Sequence, residues 1–469
     1  MQWQLKGNMR YGLAAAVLLA VSFVLQTAFV WEQHGSPTET FFRDNAAFDS
    51  SRFLADARVI ETEGLYDGAP RRQLHAVYPL IIAGFETVFG QAPAALLLFQ
   101  ALLNCAMFFM VWRLARRWFG EGVALAALFL CVFYLSFVFY AGVWLREIVV
   151  VFLAVTVLAL LDEMERRGGR WQFAVAAGVA AGLLMETRPY PILLVLVVAA
   201  LLLALARRQI AASAVAAFAA GCFAVMMALP GPGVAGEGGP LAHFLSGNVL
   251  DGAYGYLWLT TPTKERLLAE SGGGAVKGLW LFLGEIAHQP LPYAAFYFKK
   301  LRMLFGDFAI PSNYNIYLFK EELSSVLHAP FVTFGLVFPF AAVGLWEGWR
   351  GRRGSRWLYL FTFALTLGVF IFPIQERYRL IMVPFFIIFA AAGMAALYDS
   401  LRAGNARKGA YLSALFLAAL LLCRFDYWPL TGIVGAADYR NLVIAYGAAG
   451  DGVKARYYEK KAAAFVPAR

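Results

Sequence analysis

Charge is what this chain has least of: only 15% of its 469 residues are Asp, Glu, Lys or Arg, while 61% are hydrophobic. With a mean hydropathy of +0.63, that composition excludes an ordinary soluble domain and points to a polytopic membrane protein. Cysteine is scarce as well. Cys105, Cys131, Cys222 and Cys423 all fall in apolar runs, so neither a disulfide framework nor a zinc spacing is present. The five histidines, at 34, 75, 243, 288 and 328, are scattered and read as surface or packing residues rather than ligands. Walker loop, HExxH and GxSxG motifs are missing. No internal repeat is evident.

What the chain does have is apolar runs. Spanning a bilayer takes about 20 apolar residues. Eleven segments qualify as expected spans: 11–31, 92–112, 121–142, 147–161, 171–187, 189–206, 210–229, 329–348, 357–374, 380–398 and 409–427. The first is too long for a signal-peptide core and reads as a retained anchor. Segment 76–90 is short and carries Pro79 and Glu86, so it is expected as an interfacial or re-entrant helix. The stretches Gly90–Pro93 and Thr187–Pro191 read as helix breaks. The fold class is therefore all-α and polytopic, with about 11 transmembrane helices plus one interfacial helix.

Charge orients this arrangement. With a cytoplasmic N-terminus, the short inner segments hold seventeen Lys/Arg against six Asp/Glu, and the outer remainder holds twenty-three against twenty-four. The net charge of +10 is thus concentrated on the cytoplasmic side, as the positive-inside rule asks, and does not signal nucleic acid. Inner loops this short leave no room for a cytoplasmic nucleotide domain. The expected organisation is an N-terminal membrane module, 1–229, with a first outer loop at 32–91. A large outer loop follows at 230–328, then C-terminal membrane helices at 329–427 and an outer tail at 428–469. Within the large loop, 276–308 carries Trp280, Phe282, Tyr293, Phe296, Tyr297 and Phe298 interleaved with Lys299, Lys300 and Arg302. This pattern reads as helices lying on the membrane surface.

Acids and arginines gather where apolar helices end on the outer side: Asp44–Asp49, Arg146–Glu147, Glu186–Thr187–Arg188 and Glu376–Arg377–Tyr378–Arg379. Charges at the edge of hydrocarbon usually line a cavity or substrate path. Asp49 has the chemistry of a general base toward a hydroxyl; before Ser50–Ser51 it also suits a helix N-cap. Glu147 is either a second chamber-facing acid or an acid favoured by the helix dipole. Arginine's planar fork suits phosphate, although pairing with Glu186 or Glu376, or snorkelling, would serve equally.

Taken in order, FDSSRFLADARVIETEGLY, YPLIIAGFETVFG, LREIVVVFLAV, METRPYPILL, FLSGNVLDGAYGY, AHQPLPYAAFYFKKL and ERYRLIMVPFFIIFAAAG resemble the GT-C membrane glycosyltransferases. Within these, the similarity is to the protein O-mannosyltransferase and aminoarabinose-transferase-like group, which uses polyprenyl-phosphate sugars. The resemblance implies a large outer loop over a cavity, a lipid-phosphate sugar donor and inversion at the sugar. It implies Asp49 as the acceptor-activating base and Glu147 at the second-acid position. Arg188, Arg377 and Arg379 are the implied phosphate contacts, with Arg146 and Tyr378 beside them. No cofactor is required, and no metal is indicated, although a divalent ion between Asp49 and Glu147 is compatible with this layout. The expected partners are the lipid donor, an outer acceptor of unread identity and the bilayer of the cell membrane. The competing readings are a transporter or flippase of a lipid-linked or anionic solute, and a non-catalytic partner in envelope polysaccharide assembly.

Overall fold

The computed structural model describes residues 2–68, 75–90, 92–230, 239–252, 260–272, 274–351, 354–424 and 434–464. Part of the 244–256 segment, Arg352 and Arg353 of an inner loop, and the start of the tail lie outside them. The described residues are helical, without a strand; one isolated parallel bridge joins Tyr134 to Val332.

In chain order the first membrane module comprises α1 (Gln2–Gln33), α2 (Pro37–Asp44), α3 (Asp49–Glu63), α4 (Val77–Phe89), α5 (Pro93–Phe119), α6 (Glu121–Val132), α7 (Leu135–Ala141), α8 (Glu147–Arg166), α9 (Trp171–Thr187), α10 (Pro191–Ala206) and α11 (Ala212–Ala228). The large loop carries α12 (Gly239–Ser246), α13 (Pro262–Ser271), α14 (Ala275–His288), α15 (Pro290–Phe305) and the single turn α16 (Ile316–Leu318). The last part holds α17 (Phe334–Arg350), α18 (Arg356–Ile371), α19 (Glu376–Arg379), α20 (Val383–Arg402) and α21 (Ala406–Arg424), with the tail hairpin α22 (Ala436–Ala448) and α23 (Gly452–Ala464).

Among the described residues, four helices are long and apolar enough to cross a membrane: Arg10–Gln33, Pro93–Phe119, Glu376–Arg402 and Ala406–Arg424. The chain reads as a multi-pass membrane protein. Every other expected span contains a helix, but shorter or less apolar than the length rule asks. Segment 121–142 is interrupted: Leu135 N–H donates to the Val332 carbonyl and Val332 N–H to that of Phe133. A neighbouring strand-like residue thus takes over backbone groups that a continuous helix would have paired internally. Segment 76–90 forms a thirteen-residue helix, about 20 Å long. The helix breaks fall where Pro93 and Pro191 open α5 and α10.

The apolar runs bury one another in a continuous core, with α9 along α11, α8 against α5 and α9, and α17 along α20. The last pair is unusually close. A Cβ at Gly344 would overlap the Phe389 carbonyl oxygen, and one at Gly393 that of Phe340. In lipid, where apolar area drives helix pairing weakly, such backbone proximity supplies van der Waals contact instead. Gly393→Ala should therefore cost about 1–3 kcal/mol, the range for overpacking, seen as a lower unfolding temperature in detergent. An unchanged temperature would contradict so close a crossing.

Candidate functional site

Five of the charged residues singled out in the sequence meet in one place. Asp49 opens α3, but it is not the N-cap; Phe48 holds that position, without a side-chain cap. The Asp49 carboxylate is instead turned to Arg377, which ion-pairs with it across 328 residues of sequence. Arg377 also donates through Nε to Gln375 Oε1 at 3.0 Å and through a terminal nitrogen to the Tyr378 hydroxyl at 3.3 Å. Glu147, at the first turn of α8, faces Arg188 at 3.1 Å. Arg188 caps the C-terminal end of α9, and its guanidinium lies 4.3 Å from the Tyr378 ring, which Arg377 approaches at 4.9 Å. Arg146 donates to the Thr187 carbonyl at 2.7 Å and stacks 5.4 Å over Phe53.

The support beneath is apolar and hydrogen-bonded. Phe53 meets Tyr78 edge-on at 4.9 Å. The Tyr78 hydroxyl donates to Gln100 Oε1 at 2.9 Å, and Gln100 donates to the carbonyls of Ala141 and Val143. The loop that carries Arg146 is thereby fixed to α4 and α5, so Arg146 has little freedom to move.

Charge within the cluster does not balance. Three arginines, Arg188 and Arg377 buried and Arg146 half-buried, stand against two carboxylates, Asp49 and Glu147. Several buried polar atoms there have no hydrogen-bond partner: Arg146 Nε, one terminal nitrogen of Arg188, both Glu147 carboxylate oxygens and the Tyr190 hydroxyl. A buried unpaired cation is costly, and such groups ordinarily find partners. Burial acts to raise the Asp49 pKa, yet the charge and hydrogen bond of Arg377, with Arg146 and Arg188 behind it, bring it down to about 2. The Arg146 pKa is lowered as well, to about 10, by burial and by repulsion from Arg188, which for a guanidinium disfavours the charged form.

The remaining predicted residues go elsewhere. Arg379, expected among the phosphate contacts, is 2% exposed and fully engaged. It ion-pairs with Glu376 and donates to the carbonyls of Gly306 at 2.5 Å and Phe308 at 3.1 Å. Glu376 in turn accepts from the Ser136 hydroxyl at 2.5 Å. This pair clamps the end of the large loop to α7, a structural task. Glu186 turns to His75, 3.5 Å away, and Asp44 pairs with Arg43. A cavity of about 420 Å³ opens between α3, α4 and the start of α5, with Leu54, Arg58, Glu86 and Trp144 on its walls. Among the described residues no three His, Cys, Asp or Glu side chains form a group suited to a metal ion. Asp49 and Glu147 each face a guanidinium, so this donor set does not fit a divalent cation between them.

One residue escaped its sequence reading. The surface-helix pattern placed Lys300 at the membrane surface. It is instead fully buried, its ammonium donating to the Gly247 carbonyl at 2.8 Å and to Asn248 Oδ1 at 2.9 Å. Asn248 reaches on to the Ile371 carbonyl at 2.7 Å, so the lysine ties the large loop to the end of α18. Arg302 on α15 is buried as well, while Trp280, Leu291 and Phe298 on the same two helices are exposed.

The model of the dolichyl-phosphate-mannose-protein mannosyltransferase family matches residues 76–231. That segment contains Arg146, Glu147 and Arg188 but neither Asp49 nor Arg377. Over that segment the match agrees with the resemblance to the GT-C membrane glycosyltransferases. Among solved structures, the chain is similar to the oligosaccharyltransferase of Archaeoglobus fulgidus, with 14% identity, a TM-score of 0.45 and 98% of this chain covered. It spans 60% of that protein's length. It is also similar to ArnT from Cupriavidus metallidurans bound to undecaprenyl phosphate, with 14% identity, a TM-score of 0.45, and 95% of this chain and 72% of that one covered. No curated protein matches in sequence.

Burial lowers the Lys300 pKa to about 7 from an ordinary 10.5. Between those values the unfolded chain binds a proton that the folded chain does not, so stability should rise as pH climbs from about 7 toward 10. Thermal unfolding across that range should show the rise in the wild type and lose it in Lys300→Met. An identical slope in both proteins would rule Lys300 out as its source.

Proposed function

We propose that this chain is a glycosyltransferase of the cell membrane. It transfers a sugar from a polyprenyl-phosphate carrier to a hydroxyl-bearing acceptor on the extracytoplasmic side, with inversion at the anomeric carbon. The observation that carries this reading is the charge balance of the buried cluster, where three arginines meet two carboxylates and leave guanidinium N–H groups unpartnered. The donor's phosphate supplies the missing negative charge. Arg188 and Arg377 contact it and Arg146 adds its field, stabilising the charge that grows on the departing phosphate oxygen. The basic inner segments support an extracytoplasmic location for the cluster.

In the reaction, the acceptor oxygen attacks the anomeric carbon as the bond to the phosphate oxygen breaks. The acceptor proton passes to Asp49, and the lipid phosphate leaves with the electron pair. At a pKa of about 2, Asp49 is a poor proton acceptor while Arg377 holds it. Phosphate competing for Arg377 loosens that pair and weakens the strongest attraction opposing burial, which on its own raises the carboxylate's proton affinity. Donor binding thus prepares the base. Glu147 holds Arg188 in position.

The test is transfer from a polyprenyl-phosphate sugar by the purified chain in proteoliposomes without any ion gradient. Product formation is expected, whereas a transporter would give none. Asp49→Asn should lower kcat by about 10²–10⁴-fold with the protein still folded and inserted; wild-type turnover would remove Asp49 as the base. Arg377→Ala should impair donor use, by roughly 10²-fold or more in kcat/KM for the donor, with a smaller effect on the acceptor KM. Equal effects on both substrates would refute the phosphate role.

A further inference from the structure

The bundle has a second cavity, of about 910 Å³, between α17, α20 and α21. It lies at the opposite end from the acid–arginine cluster. Phe334, at the start of α17, packs under Arg379, while the cavity is lined from Gly344 to Gly351. Sixteen residues of helix separate Phe334 from Arg350, a rise of about 24 Å. The floor is made of small residues, Gly344, Gly348, Ala392 and Ala395, with Phe119 and Tyr411 as walls. The result is an apolar slot in which side chains do not fill the space between helices.

The rim is charged. Arg350, Arg407 and Lys408 face Glu347 and Asp399. Lys408 is taken by Glu347 at 2.5 Å. Arg350 lies 5.4 Å from the Trp346 ring, and among the described residues neither it nor Arg407 forms an ion pair. Trp346, Trp349, Tyr398 and Tyr411 around the mouth are all exposed, the pattern of an aromatic belt at headgroup level. A greasy slot, a rim with two available arginines and a ring of interfacial aromatics together match one chemistry.

We propose that this cavity is a binding site for an anionic phospholipid, with an acyl chain in the Gly/Ala slot and the headgroup phosphate on Arg350 and Arg407. Basic pockets between membrane helices are recognised lipid sites, and each arginine near the surface contributes to holding an anionic headgroup. The two exposed aromatics on α17 fix the depth at which the headgroup sits. The small-residue floor requires a flexible hydrocarbon chain, so a free phosphate or a nucleotide would leave it empty.

The full chain, reconstituted in nanodiscs of phosphatidylcholine alone or mixed with phosphatidylglycerol, can be extracted gently and examined by native mass spectrometry. Retained phosphatidylglycerol is expected on the wild type in preference to phosphatidylcholine. The double variant Arg350→Ala/Arg407→Ala should lower that retention by about 10- to 30-fold, and Arg350→Lys/Arg407→Lys should largely preserve it. Ala395→Trp, which fills the slot and leaves the rim untouched, should also release the lipid. The proposal fails if the wild type holds both lipids equally, or if the double alanine variant retains phosphatidylglycerol like the wild type. Displacement of the lipid by inorganic phosphate would also overturn it, because the slot would then contribute nothing.

Discussion

The contact between Arg377 and Asp49 holds the functional end of this protein together. It joins the first turn of α3 to the short helix α19 that precedes α20. Asp49 is 18% exposed at its side chain and Arg377 only 5%, so the pair is open to solvent mainly on the Asp49 side. An ion pair in that position loses part of its hydration without losing access to a ligand. It is a bond that can be exchanged, because a phosphate offers arginine the same bidentate geometry as a carboxylate.

The other charges are held by helix ends. Glu147 starts α8, where the dipole favours an acid, and Arg188 ends α9, where it favours a cation. The two termini meet at 3.1 Å, so the pair is supported from both sides by backbone as well as by its own charge. Arg146 has no carboxylate of its own and depends on a backbone carbonyl and an aromatic face. It is the natural candidate for the excess cation of the cluster. This arrangement costs stability in the empty protein, and strain of this kind is commonly concentrated where function requires it.

Much of this was legible from residue order. Charges next to apolar runs are rare enough that their positions mark a path, and Asp49, Arg146, Glu147, Arg188 and Arg377 do converge. What residue order could not supply was direction. Arg377 and Arg379 lie two apart on a single helical turn and therefore point to different sides; one reaches Asp49 and the other turns into the core to meet Glu376 and the Gly306 and Phe308 carbonyls. Both sides are polar in sequence, so pattern alone does not separate them. Lys300 misled for a related reason. An amphipathic stretch identifies its apolar face, but a lysine within it reads as solvated unless the carbonyl and amide that receive it, here at Gly247 and Asn248, are known. The span count depends on packing in the same way: helices such as α6 and α10 are shorter than a bilayer requires and lean on neighbours for the rest.

The same constraint explains why Arg379 matters although it meets no substrate in the proposed reaction. By clamping Gly306 and Phe308 it fixes where the large loop rejoins the bundle, and Glu376 N–H closes the turn onto the Ile310 carbonyl at 3.0 Å. Arg377 leaves from that turn. Its guanidinium must swing between Asp49 and an incoming phosphate by side-chain torsion alone, because the backbone beneath it is held on both sides. In the proposed reaction, a fixed turn carrying one exchangeable arginine would let a charge on the lipid alter the basicity of the Asp49 carboxylate without any movement of helices, and Arg377 would couple donor and acceptor chemistry.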